Sequence, residues 1–171
     1  AGPGEMAPLA DMIEPDVAII TLIGPAHTAE LNGLEGVAIE KARLPAALRP
    51  SGIAVFPRDC TEFAAFRDLD VRTLTIEPAD VLRPAEPPRD KVYYTVTQRG
   101  DTTVVALAYG PPPPMVFVLG RVTDGMARNS VLAICAALCL GIRRDVIQRR
   151  LRDYAPAHLR GEIRRQDGRL L

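Results

Sequence analysis

Apolar residues recur with helical spacing from 5 to 13 (Met6, Leu9, Ala10, Ile13), and Pro15 marks the stop, because a residue ahead of proline is driven out of the helical region. The next run, Asp16-Val-Ala-Ile-Ile-Thr-Leu-Ile23, shows no alternation and is rich in β-branched residues. That is the pattern of a strand buried on both faces. Helical spacing returns over 34–48, at Leu34, Val37, Ala38, Ala42 and Leu44, with Pro50 and Gly52 behind it. A second buried strand over 52–56, a short helix over 61–69 and a third strand over 71–76 complete an alternation of strands and helices. It predicts parallel strands joined by crossover helices.

The rhythm changes after the proline-rich stretch 78–90. Residues 91–98 and 102–109 flank Arg99-Gly-Asp101 as the two arms of an antiparallel hairpin, and 111–114, all proline, connect them to a strand over 115–119. Thr123 or Asp124 caps a predicted helix over 126–140 that ends at Gly141 and buries Val131, Ile134, Cys135 and Leu138. A second helix, 143–154, is amphipathic, with Val146, Ile147, Leu151 and Tyr154 inward and arginines outward. A hairpin about Asp167-Gly168 closes the chain. The fold class is α/β: a mostly parallel sheet with crossover helices and a small antiparallel β appendage. Its predicted parts are a parallel α/β segment at 1–77, antiparallel strands at 91–119, and a helical pair with a terminal hairpin at 124–171.

A chain of 171 residues that is 47% hydrophobic can bury one real core, which excludes global disorder. Its formal net charge is zero, so the balance favours neither nucleic acid nor an anionic membrane. The distribution is uneven. Glu5, Asp11, Glu14, Asp16, Glu30, Glu35 and Glu40 precede the first basic residue, Lys41, while nine arginines lie between Arg143 and Arg169. Arginines 143, 144, 149, 150 and 152 make a basic helical face. No aromatic residue interleaves them for base stacking, and Asp145 and Asp153 dilute them, so a nucleic-acid partner is not expected. Three cysteines, two of them four apart in an apolar helix, read as reduced core thiols of a cytoplasmic protein. The longest apolar run is too short to span a bilayer.

Candidate chemistry is sparse. His27 follows the first strand by four residues, which places it beyond the carboxyl end of the sheet, where ligands bind in open parallel sheets. Lys41 lies in the crossover helix beside Glu40. Asn129 near the start of the penultimate helix and Arg160 after the last one offer an amide and a fixed cation, a combination that suits a nucleotide. There is no Gly-x-x-x-x-Gly-Lys-Ser/Thr loop, no Gly-x-Ser-x-Gly, no Cys-x-x-Cys and no His-Glu-x-x-His. Gly2-Pro-Gly4 ahead of a helix reads as a turn leading into it rather than as an anion cradle.

In order along the chain, Gly2-Pro-Gly-Glu-Met-Ala-Pro-Leu-Ala10, Pro15-Asp-Val-Ala-Ile-Ile-Thr21, Gly24-Pro-Ala-His27, Leu34-Glu-Gly-Val-Ala-Ile-Glu-Lys41, Met126-Ala-Arg-Asn-Ser130 and Pro156-Ala-His-Leu-Arg-Gly-Glu162 resemble the central, ATP-binding domain of the Mur ligase family. The branch they resemble most joins D-alanyl-D-alanine (D-Ala-D-Ala) to the UDP-N-acetylmuramoyl (UDP-MurNAc) tripeptide. The resemblance implies ATP-dependent formation of an acyl phosphate, then an amide, with ATP and Mg2+ as cofactors. It makes His27 a magnesium ligand and Lys41 a lysine that adds carbon dioxide to become a carbamate. That addition needs a neutral amine, which burial favours, and yields a hard oxygen ligand. It makes Asn129 the adenine contact and Arg160 the arginine near the nucleotide.

The departures are specific. The phosphate loop, an upstream magnesium-binding glutamate, the UDP-sugar domain and the domain that brings the amine have no counterpart in these residues. Leu22 stands at a frequently polar position, Leu31-Asn-Gly33 replaces a Phe-Gly-Ser type of turn, and Gly125-Met126 stands where His-Asn is common. The 171 residues alone are therefore expected to be a catalytically inactive piece of a ligase. The alternative is a diverged, non-catalytic interaction domain on the same fold.

Overall fold

Helix α1 (Met6–Ile13) stops where proline predicts: Glu14 takes a left-handed conformation (φ 43°) and its N–H returns to the Ala10 carbonyl. The computed structural model describes residues 2–26, 28–82 and 87–154, and the backbone of 165–166 and 169–170. Two units separate, Ala1–Glu77 and Pro78–Leu171. In the first, strands β1 (Val17–Ile19), β2 (Ile53–Pro57) and β3 (Thr73–Pro78) run parallel in that order, and helix α2 (Leu34–Ala46) crosses over between β1 and β2. A 3-10 turn (Arg58–Glu62) and the single-turn helix α3 (Ala64–Arg67) replace the predicted helix over 61–69.

All five residues of β2 are buried, as expected of a strand with a neighbour on each side. The run 16–23 departs from its prediction. Only three residues form the strand, extended by one bond from Ile20 N–H to the Val55 carbonyl, and burial alternates: Ala18 and Ile20 inside, Ile19, Thr21 and Leu22 exposed. The cause is position, since β1 pairs with β2 alone among the described strands and only its Ala18/Ile20 face is covered. The core beneath joins Ile20 to Ala38 and Ala42 of α2, and to Ala54, Phe56, Cys60 and Phe66. Phe56 and Phe66 meet edge to face, centroids 5.2 Å apart, which suits the ring quadrupoles. Leu34, one of the apolar positions with helical spacing, is 43% exposed in the first turn of α2.

In the second unit β4 (Lys91–Arg99) and β5 (Thr102–Ala108) form the predicted hairpin, and β6 (Met115–Gly120) pairs antiparallel with β5. Gly100 turns the hairpin at φ 55°. One face gathers Tyr94, Val105, Leu107, Phe117 and Leu119. Helix α4 (Asp124–Cys139) buries Ala127, Val131, Leu132, Ile134, Cys135 and Ala136. The approach to α4 is fixed by polar bonds. The buried Thr103 hydroxyl donates to Gln98 Oε1 and accepts from Val122 N–H, while Gln98 Nε2 donates to the Val122 carbonyl. Thr123 is the N-cap, its hydroxyl accepting from Met126 N–H at 3.4 Å. This bond is long, so Thr123→Ala is expected to cost only about 0.5–1 kcal/mol, read as a shift in urea midpoint.

Helix α5 (Arg144–Arg152) buries Ile147 and half-buries Val146 and Leu151. Tyr154, predicted inward, is 43% exposed, because the helix ends at Arg152 and releases the residues beyond from its inner face. Strands β7 (Arg165–Gln166) and β8 (Arg169–Leu170) pair antiparallel, as the Asp167-Gly168 signal predicts. The fold is α/β, parallel in its first unit and antiparallel in the sheet of its second.

Candidate functional site

Lys41 occupies the middle of α2, half-buried, and its Nζ donates to the Leu22 carbonyl at 2.8 Å. Leu22 follows the carboxyl end of β1 by three residues, so the amine is held at the edge where open parallel sheets place ligands. Helix α2 reaches that position through a tight start: Gly33 precedes it at φ 91°, and Gly36 packs its Cα against the Leu31 carbonyl. His27 and Arg160, the metal and nucleotide candidates of the sequence, lie outside the described residues.

Glu40, beside Lys41, is buried to 8% exposure and its carboxylate points to α1. Oε1 accepts from Met6 N–H at 2.7 Å and Oε2 from Gly4 N–H at 3.1 Å. Gly2-Pro-Gly4 does turn into the helix, as expected, but the amides of Gly4 and Met6 also face an anion, the internal carboxylate of Glu40. The Met6 amide is the main reason the Glu40 carboxyl sits below its ordinary value; burial pushes the other way, and the Gly4 amide and Arg43 add to the lowering. In the sequence Glu40 is one acid among the seven that precede Lys41. The available signal was its place three residues after Val37 in a helix that also buries Ala38 and Ala42.

A lysine amine is a donor and a cation, so Lys41 as it stands is not a metal ligand. Among the described residues, no three His, Cys, Asp or Glu side chains come together as a cation site. The described residues do not by themselves fit magnesium; Lys41 would join such a site only as its carbamate.

Asn129 is exposed on α4, in the second unit. Its neighbours Gly125 and Arg128 line a cleft of about 530 Å³ with Pro78, Tyr94, Gln98 and Asp124 among its other walls. The basic face of α5 is largely engaged. Arg143 and Arg149 both meet Asp145, and Arg144 donates to the Val116 carbonyl with its guanidinium 5.8 Å from the Phe117 ring centre. The cysteines are free thiols; burial, followed by the nearby Cys139, pushes Cys135 up to about 12, which keeps it protonated and unreactive. Among the described residues no helix is long and apolar enough to cross a membrane.

A family model for the Mur ligase middle domain matches residues 1–95. The UDP-N-acetylmuramoyl-tripeptide--D-alanyl-D-alanine ligase of Mycobacterium leprae (strain TN) is 30% identical over 86 residues, covering 50% of this chain and 17% of that ligase. A MurF crystal structure from Acinetobacter baumannii superposes with a TM-score of 0.75 at 21% identity over 99% of this chain and 36% of its own. The MurF ligase of Thermotoga maritima in complex with ADP gives 0.72 at 18% identity over 98% and 37%. The apo form of L. casei FPGS gives 0.63 at 16% identity over 87% and 36%. The chain thus spans a fifth or less of the curated relative and about a third of the solved structures, whose likeness at these identities concerns the fold.

Proposed function

Since the chain belongs to the Mur ligase family through its middle domain, a group of ATP-dependent amide ligases, we propose that it is the central portion of the member joining D-Ala-D-Ala to the UDP-MurNAc tripeptide. The observation that carries this finer reading is the 30% identity to the Mycobacterium leprae ligase of that name. The reading assigns ATP and Mg2+ as cofactors, and UDP-MurNAc peptide and D-Ala-D-Ala as substrates, of the whole ligase.

Within it, Lys41 is the residue that accepts carbon dioxide. The residue is half-buried at the carboxyl edge of the parallel sheet, and the Leu22 carbonyl fixes the direction of its amine. His27, four residues beyond the apolar run 16–23 in the sequence, is assigned as a magnesium ligand. Asn129 and Arg160 are assigned to the nucleotide; a cleft lined by Asp124, Gly125 and Arg128 gives the start of α4 a concave surface, though Asn129 itself does not line it. Magnesium would supply charge neutralisation for phosphoryl transfer.

Calorimetry of the intact natural gene product with Mg-ATP tests the assignment. Saturable binding is expected, with Lys41→Ala weakening it in the presence of magnesium. Phosphate release that depends on both UDP-MurNAc tripeptide and D-Ala-D-Ala tests the branch. Release with a different amine keeps the family and overturns the branch; no Mg-ATP binding at all leaves the non-catalytic interaction domain as the correct reading.

A further inference from the structure

Two adjacent residues of α2 hold on to different elements. Glu40 reaches the start of α1, where its Oε1 accepts from Met6 N–H at 2.7 Å and its Oε2 from Gly4 N–H at 3.1 Å. Lys41 reaches the Leu22 carbonyl, beyond the end of β1, at 2.8 Å. Successive helix positions lie about 100° apart, so the two side chains leave α2 towards separate neighbours.

The attachments are unequal. Lys41 makes its bond at the surface, through a flexible side chain. Glu40 makes two charge-assisted bonds to main-chain amides, and the residue is 8% exposed. Packing does little to replace them. Through its middle α2 buries Val37, Ala38, Glu40 and Ala42, and Ala38 and Ala42 are what it brings to the core with Ile20, Ala54 and Phe56. Alanines let a helix approach closely but give no long ridge to lodge in a groove, so they resist sliding and rotation poorly. The one long side chain that the middle of α2 buries is Glu40.

We propose that Glu40 is a positioning residue for Lys41. By locking the middle turn of α2 to the start of α1, it fixes the rotation and height of that turn and so aims the amine at the carboxyl edge of the sheet. The functional part of this proposal rests on the assignment of Lys41 to the reaction given above. It makes the turn at 2–6 part of what places the amine, since a shift there reaches α2 through one carboxylate.

The chain holds two lysines, Lys41 and Lys91, so trace acetylation of the folded protein, read by peptide mass spectrometry, compares one amine with an internal standard in the second unit. Glu40→Ala is expected to raise the Lys41:Lys91 labelling ratio about threefold, as the amine spends less time on the Leu22 carbonyl, and Glu40→Gln by a smaller factor. Leu74→Ala separates positioning from plain loss of stability. Leu74 is 1% exposed in β3 and lies outside the cluster containing Ala38 and Ala42, so its truncation weakens the same unit while leaving the ratio at the parent value. If Glu40→Ala fails to fold, the Glu40→Gln step decides alone. A ratio unmoved by the Glu40 variants, or raised equally by Leu74→Ala, would overturn the proposal.

The link to function is read in the intact natural gene product. Glu40→Ala is expected to weaken Mg-ATP binding about fivefold when Lys41 is present and not at all when Lys41 is already alanine. Equal weakening in both backgrounds would show that Glu40 does not act through Lys41, which also overturns the proposal. A parent that binds no Mg-ATP instead removes the assignment of Lys41 to the reaction, and the labelling ratio still decides whether Glu40 places the amine.

Discussion

Replacing Gly36 with alanine is expected to destabilise the first unit by about 4 kcal/mol, the opposite of what helix propensity alone says. Within a helix, glycine to alanine gains about 1 kcal/mol, because alanine restricts the unfolded chain more. At Gly36 an added Cβ would stand 1.5 Å from the Leu31 carbonyl oxygen and 2.7 Å from its carbon. Both are backbone atoms, so no rotamer change relieves the overlap. The turn that brings Leu31 close is itself constrained: Gly33 N–H bonds the Thr28 carbonyl at 2.8 Å, Asn32 holds φ 57° and Gly33 φ 91°. Either this turn or the first turn of α2 must move, and with α2 goes Lys41 and its bond to the Leu22 carbonyl. Gly125 in α4 is the control. Nothing lies within 4 Å of its Cβ position, so Gly125→Ala is expected to stabilise by about 0.5–1 kcal/mol. Urea unfolding of the two variants should give shifts of opposite sign. A neutral Gly36→Ala would show that α2 does not start against this turn.

The contrast between these glycines marks what a sequence can and cannot show. Periodicity is a local property, and it located α1, α2 and α4, because each presents its own face repeatedly to one environment; the unbroken apolar run of β2 and the turn between β4 and β5 are equally local signals. The run at 16–23 misled because an apolar β-branched stretch looks the same whether one face or two are covered; only the neighbour count decides, and Ile19 of β1 and Leu22 just beyond it remain exposed where β1 pairs with β2 alone among the described strands. Tyr154 misled because the apolar spacing continues past the point where α5 ends.

The candidate site divides along the same line. Lys41 was visible as the first cation after seven acids, and its family resemblance gave it a role, but its bond to Leu22 spans 19 residues and has no local signature. Glu40 was legible only in part: its place three residues after Val37 marks it as inward, but its partners Gly4 and Met6 lie more than 30 residues earlier and leave no local trace. The acids of the first 40 residues are thus not alike. Most face solvent, whereas this one joins α1 to the helix that carries Lys41.

Glu40→Ala is therefore expected to cost about 3 kcal/mol at neutral pH. Two bonds from main-chain N–H groups to a carboxylate are lost, each contributing about 1.5–3 kcal/mol before relaxation, and the Gly4 and Met6 amides lose their partner. Glu40→Gln keeps the volume and one acceptor but turns an NH2 group towards one of the two amides, so about half the cost is expected. The pH dependence has a definite sign. The folded carboxyl lies below its ordinary value of 4.5, so the folded protein holds its proton less tightly than the unfolded chain. Its contribution is complete above the unfolded value and is lost as pH falls through the folded one. Below that, protonated Glu40 and Gln resemble each other. The stability gap between the parent chain and Glu40→Gln should thus be widest near neutrality and close in acid, with faster amide exchange at Gly4 and Met6 in the variant at pH 7. A gap of equal size at both ends of that range would mean that volume, rather than the carboxylate charge, is what holds α1 to α2.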